Sequence, residues 1–107
     1  MPLTMKMQQS GEVVASGKRD ETVQVFEGHW YFAPDAVDMK YLKVTNHIYT
    51  CSYKGQCLWI DLEAPGVHVP QIAWVYREPK PGYEFIKDQI GFYVRNTAAT
   101  VAVQEPD

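Results

Sequence analysis

Residues 22–32 read TVQVFEGHWYF, two runs of β-branched and aromatic residues separated by the dipeptide Glu27-Gly28. In the first run Val23 and Val25 share one face of an extended chain, because successive side chains of a strand alternate between its faces. A two-residue connection that contains glycine, placed between two such runs, is typical of a β-hairpin. The stretch therefore predicts an antiparallel hairpin and makes β structure the starting hypothesis for the whole chain.

The sequence outside this hairpin contains further short strand-like runs, at 13–15, 56–63, 71–76, 90–95 and 98–103. With the hairpin, these runs predict about seven short strands, joined mostly by short turns and therefore mainly antiparallel. One or two short helical turns are expected, at 33–37 and 83–89, and a turn or a strand at 39–46. Residues 1–10 are predicted to be a flexible or edge-lying start, and residues 104–107 a tail.

Composition and charge bound the class of protein. The chain has 107 residues, of which 46% are apolar and 21% charged, so we expect one soluble domain over residues 1–107. The formal net charge of -3 and the scattered basic residues argue against nucleic acid as a partner. No apolar run is long enough for a membrane span. The start lacks the apolar core of a signal peptide, which predicts a cytoplasmic protein.

Cys51 is the candidate nucleophile. Lys54 follows it by three residues and His47 precedes it by four. A nearby cation lowers the pKa of a thiol, and a neutral imidazole can accept its proton. The residue types therefore allow a catalytic pair of Cys51 and His47, and equally a buried cysteine beside a turn lysine.

No metal or cofactor is predicted. His47, Cys51, Cys57 and His68 are residue types that bind zinc, but their spacing matches no zinc-binding pattern and the chain has no C-x-x-C motif. In a reducing compartment the two cysteines are expected to be free thiols.

The tryptophans fall into two groups. Trp30, with Phe32 and Phe92, is expected in the core. Trp59 instead shares a strand face with Cys57 and Asp61, and a tryptophan beside polar groups suits the wall of a small-molecule pocket. Trp59 and Trp74 are therefore candidate pocket residues.

Three motifs resemble one family. YTCSYKG at 49–55 resembles T-x-C-P-(W/Y)-K-G, IAWVYREPKP at 72–81 resembles A-W-x-Y-P-x-P-x-P, and IKDQIGFY at 86–93 resembles I-x-(G/D)-x-(V/I)-x-F-Y. Their order and spacing are similar to those of the domain of unknown function 427 family, over residues 11–103. Two positions depart from the pattern, since Ser52 and Arg77 stand where the family has proline.

The resemblance implies a mainly β domain of two small antiparallel sheets that pack at an angle, as in tent-like β folds. It implies a shared pocket near the cysteine-lysine loop but no established reaction. A nucleotidyltransferase-like name is attached to the family, yet this chain has no phosphate-cradling or acidic metal-binding motif. The matching positions are Cys51, Tyr53, Lys54, Gly55, Trp74 and Tyr76.

Three hypotheses for function follow. The first is a pocket for a small or anionic ligand, with Lys54 and Arg77 supplying positive charge and with Cys51 and His47 at the base. In it, Trp59, Trp74 and Tyr76 would form the walls. The second is a thiol-dependent enzyme that uses Cys51. The third is a non-enzymatic interaction module, as a homodimer or with a regulatory partner protein.

Overall fold

A computed structural model describes residues 2–104, and within them the chain forms nine strands and three 3₁₀ turns. The strands are β1 (Pro2–Met7), β2 (Val13–Lys18), β3 (Val23–Phe26), β4 (His29–Phe32), β5 (Leu42–Cys51), β6 (Gly55–Ala64), β7 (Val67–Val75), β8 (Ile90–Tyr93) and β9 (Thr100–Gln104). The 3₁₀ turns are Pro34–Ala36, Met39–Tyr41 and Glu84–Ile86.

The strands form two antiparallel sheets, in the orders β2-β1-β9 and β3-β4-β8-β7-β6-β5. The predicted mainly β class with two antiparallel sheets is therefore confirmed. None of the helical segments in residues 2–104 is long and apolar enough to cross a membrane.

The hairpin at 22–32 is confirmed as β3 and β4, with Val25 paired to Trp30. Its turn has positive φ at both central residues, 52° at Glu27 and 77° at Gly28. Two positive φ angles match the right-handed twist of the flanking strands, and glycine adopts such an angle without steric cost.

The prediction of a flexible or edge-lying start was wrong for residues 2–7. They form β1, the central strand of the smaller sheet, and its Leu3 and Met5 side chains are buried. Leu3, Met5 and Met7 alternate with Thr4 and Lys6, so the period-two pattern of a strand was present in the sequence. Of the predicted tail, Gln104 ends β9, and residues 105–107 lie outside the described part of the chain.

Strand boundaries differ from several of the predictions: β2 extends to Lys18, β8 ends at Tyr93 and β9 begins at Thr100. Residues 39–46 were predicted as a turn or a strand and contain both, because the 3₁₀ turn Met39–Tyr41 leads directly into β5. Strand β7 begins at Val67, four residues earlier than expected. Gln71 interrupts its regular geometry with a φ of 57°, next to an irregularity in the β6–β7 register.

The two faces of the six-stranded sheet have different roles. One face packs against the smaller sheet in the main core, which contains Trp30, Phe32 and Phe92 as predicted. The opposite face carries a second, separate cluster formed around Tyr31, Cys57, Trp74, Tyr76 and Ile86. Because side chains alternate along each strand, residue pairs such as Trp30 and Tyr31 serve different clusters.

Candidate functional site

A row of side chains crosses four strands on the second face of the sheet. Tyr31 of β4 is paired with Gly91 of β8, Gly91 with Trp74 of β7, and Trp74 with Trp59 of β6. Directly paired residues of antiparallel strands place their side chains on the same face. The row therefore brings together residues that are up to 60 positions apart in the sequence (31 and 91).

Gly91, which lies between Tyr31 and Trp74, allows the rings of these two residues to approach each other. A Cβ atom at Gly91 would lie 2.5 Å from Trp74 Nε1 and 3.0 Å from Tyr31 Cε2. Trp74 Nε1 donates a hydrogen bond to the Tyr31 hydroxyl at 3.1 Å, and both residues are buried. Glycine inside a strand is typical of such a close approach.

A cavity of about 350 Å³ opens over this row. Six of its lining side chains are aromatic, namely Tyr31, Tyr49, Trp59, Trp74, Tyr76 and Tyr93, and the others are His29, Cys51, Lys54 and Cys57. This volume lies within the range of small-molecule sites, roughly 300–1,000 Å³, which usually combine apolar walls with a few polar groups.

Trp74 is the centre of the aromatic wall. Its ring centroid lies 4.9 Å from those of both His29 and Tyr93. The centroids of Tyr31 and Trp59 follow at 6.1 Å and 6.2 Å. All four contacts are edge-to-face, a favourable geometry for aromatic pairs. The indole is therefore held on several sides.

The two edge hairpins of the large sheet meet at the rim of the cavity. Lys54, in the β5–β6 turn, forms an ion pair with Glu27, in the β3–β4 turn, and its ammonium lies 5.9 Å from the Phe26 ring centroid. In a flat sheet, β3 and β6, the strands that flank Glu27 and Lys54, would lie four strand spacings or about 19 Å apart. The contact therefore requires the sheet to curl around its aromatic face.

The charge states of two rim residues follow from this contact. Burial, the largest single effect, lowers the pKa of Lys54, but the hydrogen bond with Glu27 and the nearby Cys51 and Glu27 charges together outweigh it. The pKa therefore lies above its ordinary value and the amine stays protonated. Burial, followed by the positive charge of Lys54, lowers the pKa of His29 below its ordinary 6.5. His29 is therefore neutral at pH 7.

The two cysteines have opposite properties. The Lys54 backbone N–H donates to Cys51 Sγ at 3.5 Å, and this hydrogen bond is the main reason why the pKa of Cys51 is lowered. Burial raises the pKa of Cys57, which stays a thiol. Both are free cysteines, as predicted.

Five of the predicted site residues line the cavity: Cys51, Lys54, Trp59, Trp74 and Tyr76. The structure does not bring His47, Tyr53, Gly55 or Arg77 to it. His47 is exposed on β5, and the Tyr53 side chain points outward from the turn, with 73% of the residue exposed.

Gly55 and Arg77 lie along a second groove, and Arg77 forms an ion pair with Asp88 at 3.2 Å. Gly55 has a φ of 105°, a positive angle of the kind expected for a glycine that turns the loop into the next strand.

Sequence reasoning missed five lining residues (His29, Tyr31, Tyr49, Cys57, Tyr93) and the ion-pair partner Glu27. Cys57 could have been predicted, because it shares a strand face with Trp59, which was already a candidate pocket residue. The contributions of the β3–β4 hairpin and β8 depend on strand order, which their local sequence does not contain.

No group of three or more His, Cys, Asp or Glu residues within 2–104 is placed to hold a metal ion. His68, one of the four residues whose side-chain types can bind zinc, lies on β7, and its Nε2 is 3.4 Å from Asp61 Oδ2.

A comparison with family models matches the Domain of unknown function (DUF427), NTP_transf_9, over residues 2–103. A comparison with curated proteins finds no match. The family match spans nearly all of the 107 residues and includes the cavity, the Cys51–Gly55 turn and both sheets. The chain therefore belongs to the DUF427 family.

Proposed function

We propose that this protein binds a small, flat, largely apolar ligand that carries one acidic group. The observation that carries the proposal is the convergence of six aromatic side chains and Lys54 on one concave cavity. The main core lies on the other face of the sheet. A buried aromatic cluster that leaves an open cavity of ligand size is typical of a binding site.

The aromatic wall supports a flat ligand. Trp59, Trp74 and Tyr93 present ring faces and edges to the cavity, and such surfaces bind planar groups through stacked or edge-to-face contacts. Most of the binding free energy would come from the apolar area that is removed from water.

The rim supports an acidic group on that ligand. Lys54 is protonated, and the Arg95 guanidinium lies 4.4 Å from the Tyr93 ring centroid. Against these two cations stands one carboxylate in contact with Lys54, that of Glu27. His29 is neutral and adds no charge to this part of the cavity. An anionic group near Lys54 would be favoured over a cationic one.

The test uses cinnamate, a flat aromatic acid, and its uncharged amide, cinnamamide. Titration followed through the indole N–H signals of Trp59 and Trp74 gives a Kd for each probe. Lys54→Ala should weaken cinnamate binding by about tenfold, the size expected for a hydrogen bond to a charged group. Glu27→Gln should strengthen it by about threefold, because the competing carboxylate is removed. Neither change should affect cinnamamide comparably.

Lys80→Ala is the matched control, because Lys80 donates to the Ser52 carbonyl at 3.0 Å and does not line the aromatic cavity. If Lys54→Ala and Lys80→Ala weaken cinnamate equally, or if cinnamate shifts neither indole signal, the proposal is wrong.

A second candidate function, thiol-dependent chemistry at Cys51, is supported by the Lys54 N–H that donates to its sulfur. A nucleophilic cysteine needs a stabilised thiolate. The pH dependence of iodoacetamide alkylation, measured by peptide mass spectrometry, should have a midpoint for Cys51 below the ordinary thiol value of about 8.5. For Cys57 the midpoint should lie above it, because burial raises its pKa.

Lys54→Ala separates two contributions that stabilise the Cys51 thiolate, the hydrogen bond from the Lys54 backbone and the charge of its side chain. It keeps the backbone N–H, the larger contribution, and removes only the weaker effect of the side-chain charge. We expect the Cys51 midpoint to rise slightly and to stay below that of Cys57. A Cys51 midpoint at or above the ordinary thiol value would argue against the thiol function.

A further inference from the structure

We infer that Tyr31 is the specificity-determining hydrogen-bond donor of the aromatic cavity, and that its ligand carries a hydrogen-bond acceptor, such as a carbonyl oxygen, at the end opposite the acidic group. This inference rests on the proposed function and deepens it, because it adds a second polar feature to the ligand.

The first step is the hydrogen-bonding capacity of the Tyr31 hydroxyl. An indole N–H is a donor only, so in the bond with Trp74 the Tyr31 oxygen is the acceptor. The proton of the hydroxyl is then available for a second hydrogen bond. Among residues 2–104, no side chain or backbone group is placed to accept it. Burial raises the pKa of Tyr31, so the proton is retained at neutral pH.

The second step is the position of this hydroxyl. Tyr31 is 1% exposed and nevertheless lines the cavity. Since Tyr31 lines the cavity, an acceptor on a bound ligand would receive this hydrogen bond. Of the aromatic lining residues, Tyr49 instead lies at the exposed rim, with 52% of its surface accessible. Tyr31 therefore belongs to the buried part of the cavity lining.

The third step is the coupling between Trp74 and Tyr31. When a hydroxyl donates a hydrogen bond, its oxygen becomes a better acceptor, so consecutive hydrogen bonds strengthen one another. A ligand acceptor at Tyr31 would therefore tighten the bond from Trp74 Nε1 as well. Tyr31 and Lys54, as two separate polar groups of the lining, would together fix the orientation of a flat ligand.

The test compares two probes that differ in one group, para-acetylcinnamate and para-ethylcinnamate. Both keep the acidic group and the flat ring, and only the acetyl compound has an acceptor at the far end. Wild-type protein should bind the acetyl probe about fivefold more tightly, the size of one ordinary net hydrogen bond. The acetyl probe alone should move the Trp74 indole proton downfield, because the Trp74–Tyr31 bond shortens.

Tyr31→Phe should abolish this preference, so that the acetyl and ethyl probes bind the variant with equal affinity. Tyr41→Phe is the matched control, because Tyr41 packs against the main core and does not line the cavity. If Tyr31→Phe does not fold, the wild-type affinity ratio and the Trp74 signal decide the question.

Equal wild-type affinities for the two probes, or a preference that survives Tyr31→Phe, would overturn the role of Tyr31 and leave the proposed function standing. If neither probe binds the wild-type protein, the proposed function fails and this inference fails with it.

Discussion

Gly91→Ala is expected to destabilise the protein by about 3 kcal/mol and to disrupt the cavity, because its methyl group has no space. The added Cβ would lie 2.5 Å from Trp74 Nε1 and 2.6 Å from Trp74 Cε2. Tyr31 Cε2 closes the other side at 3.0 Å. Both rings are buried and held by neighbouring aromatic residues, so neither can move away freely. Overpacking of this kind typically costs 1–3 kcal/mol, and more in rigid surroundings.

The measurement is the free energy of unfolding from urea titration. Gly66→Ala is the matched control, because a Cβ atom there would contact nothing within 4 Å, although φ is 75°. That variant should lose only the cost of a positive φ, about 1 kcal/mol. In a Trp74→Leu background the cost of Gly91→Ala should shrink, because the crowded indole atoms are gone. Equal losses in both backgrounds would show that the indole is not the source of the strain.

Local sequence was sufficient for the elements whose patterns are short-range. The β3–β4 hairpin was predictable because Glu27 and Gly28 interrupt two β-rich runs and adopt the positive φ angles that this turn requires. The alternation in β6 likewise placed Trp59 and Cys57 on one face, where the structure has both of them lining the cavity.

The start of the chain was mispredicted for a physical reason. The alternation of Leu3, Met5 and Met7 with polar residues is itself a strand signal, but methionine is not among the residues enriched in strands. The burial of these side chains comes from tertiary pairing, since β1 lies between β2 and β9. The pairing with β9 joins residues about 100 positions apart, such as Leu3 and Gln104, and no local signal contains that information.

The same limit applies to the cavity. The motif resemblance identified Cys51, Lys54, Trp74 and Tyr76, because these residues lie within the recognisable segments. It did not identify Tyr31, which reaches the cavity only because β8 lies between β4 and β7 in the sheet. The role of Glu27 depends on the curl of the whole sheet, which brings the two edge hairpins into contact.

The site therefore combines residues that local turn geometry positions with residues that the strand order of the sheet positions. The turn residues Cys51 and Lys54 are set by local geometry, with the Lys54 N–H held against the Cys51 sulfur. The aromatic wall around Trp74 is set by strand register. A change in the turn should therefore alter charge and reactivity with little loss of stability. A change in the aromatic wall should alter both ligand binding and stability.

Trp74→Ala is the sharpest test of the aromatic wall. We expect the free energy of unfolding to fall by about 4 kcal/mol, the middle of the range for truncating a buried aromatic residue. The indole is only 6% exposed and has ring contacts with His29, Tyr31, Trp59 and Tyr93. Its removal also leaves the Tyr31 hydroxyl without its described partner. Cinnamate binding should fall below detection, because the central wall of the cavity is gone.

Trp74→Phe separates the packing of this residue from its hydrogen bond. It keeps an aromatic ring at the centre of the wall and removes the N–H group, so we expect a smaller loss of stability, about 1–3 kcal/mol. Cinnamate should still bind to this variant, since its contacts are with ring surfaces and with Lys54. The measurements are urea unfolding and titration with cinnamate. If Trp74→Ala binds cinnamate as tightly as Trp74→Phe does, the indole is part of the fold but not of a binding site.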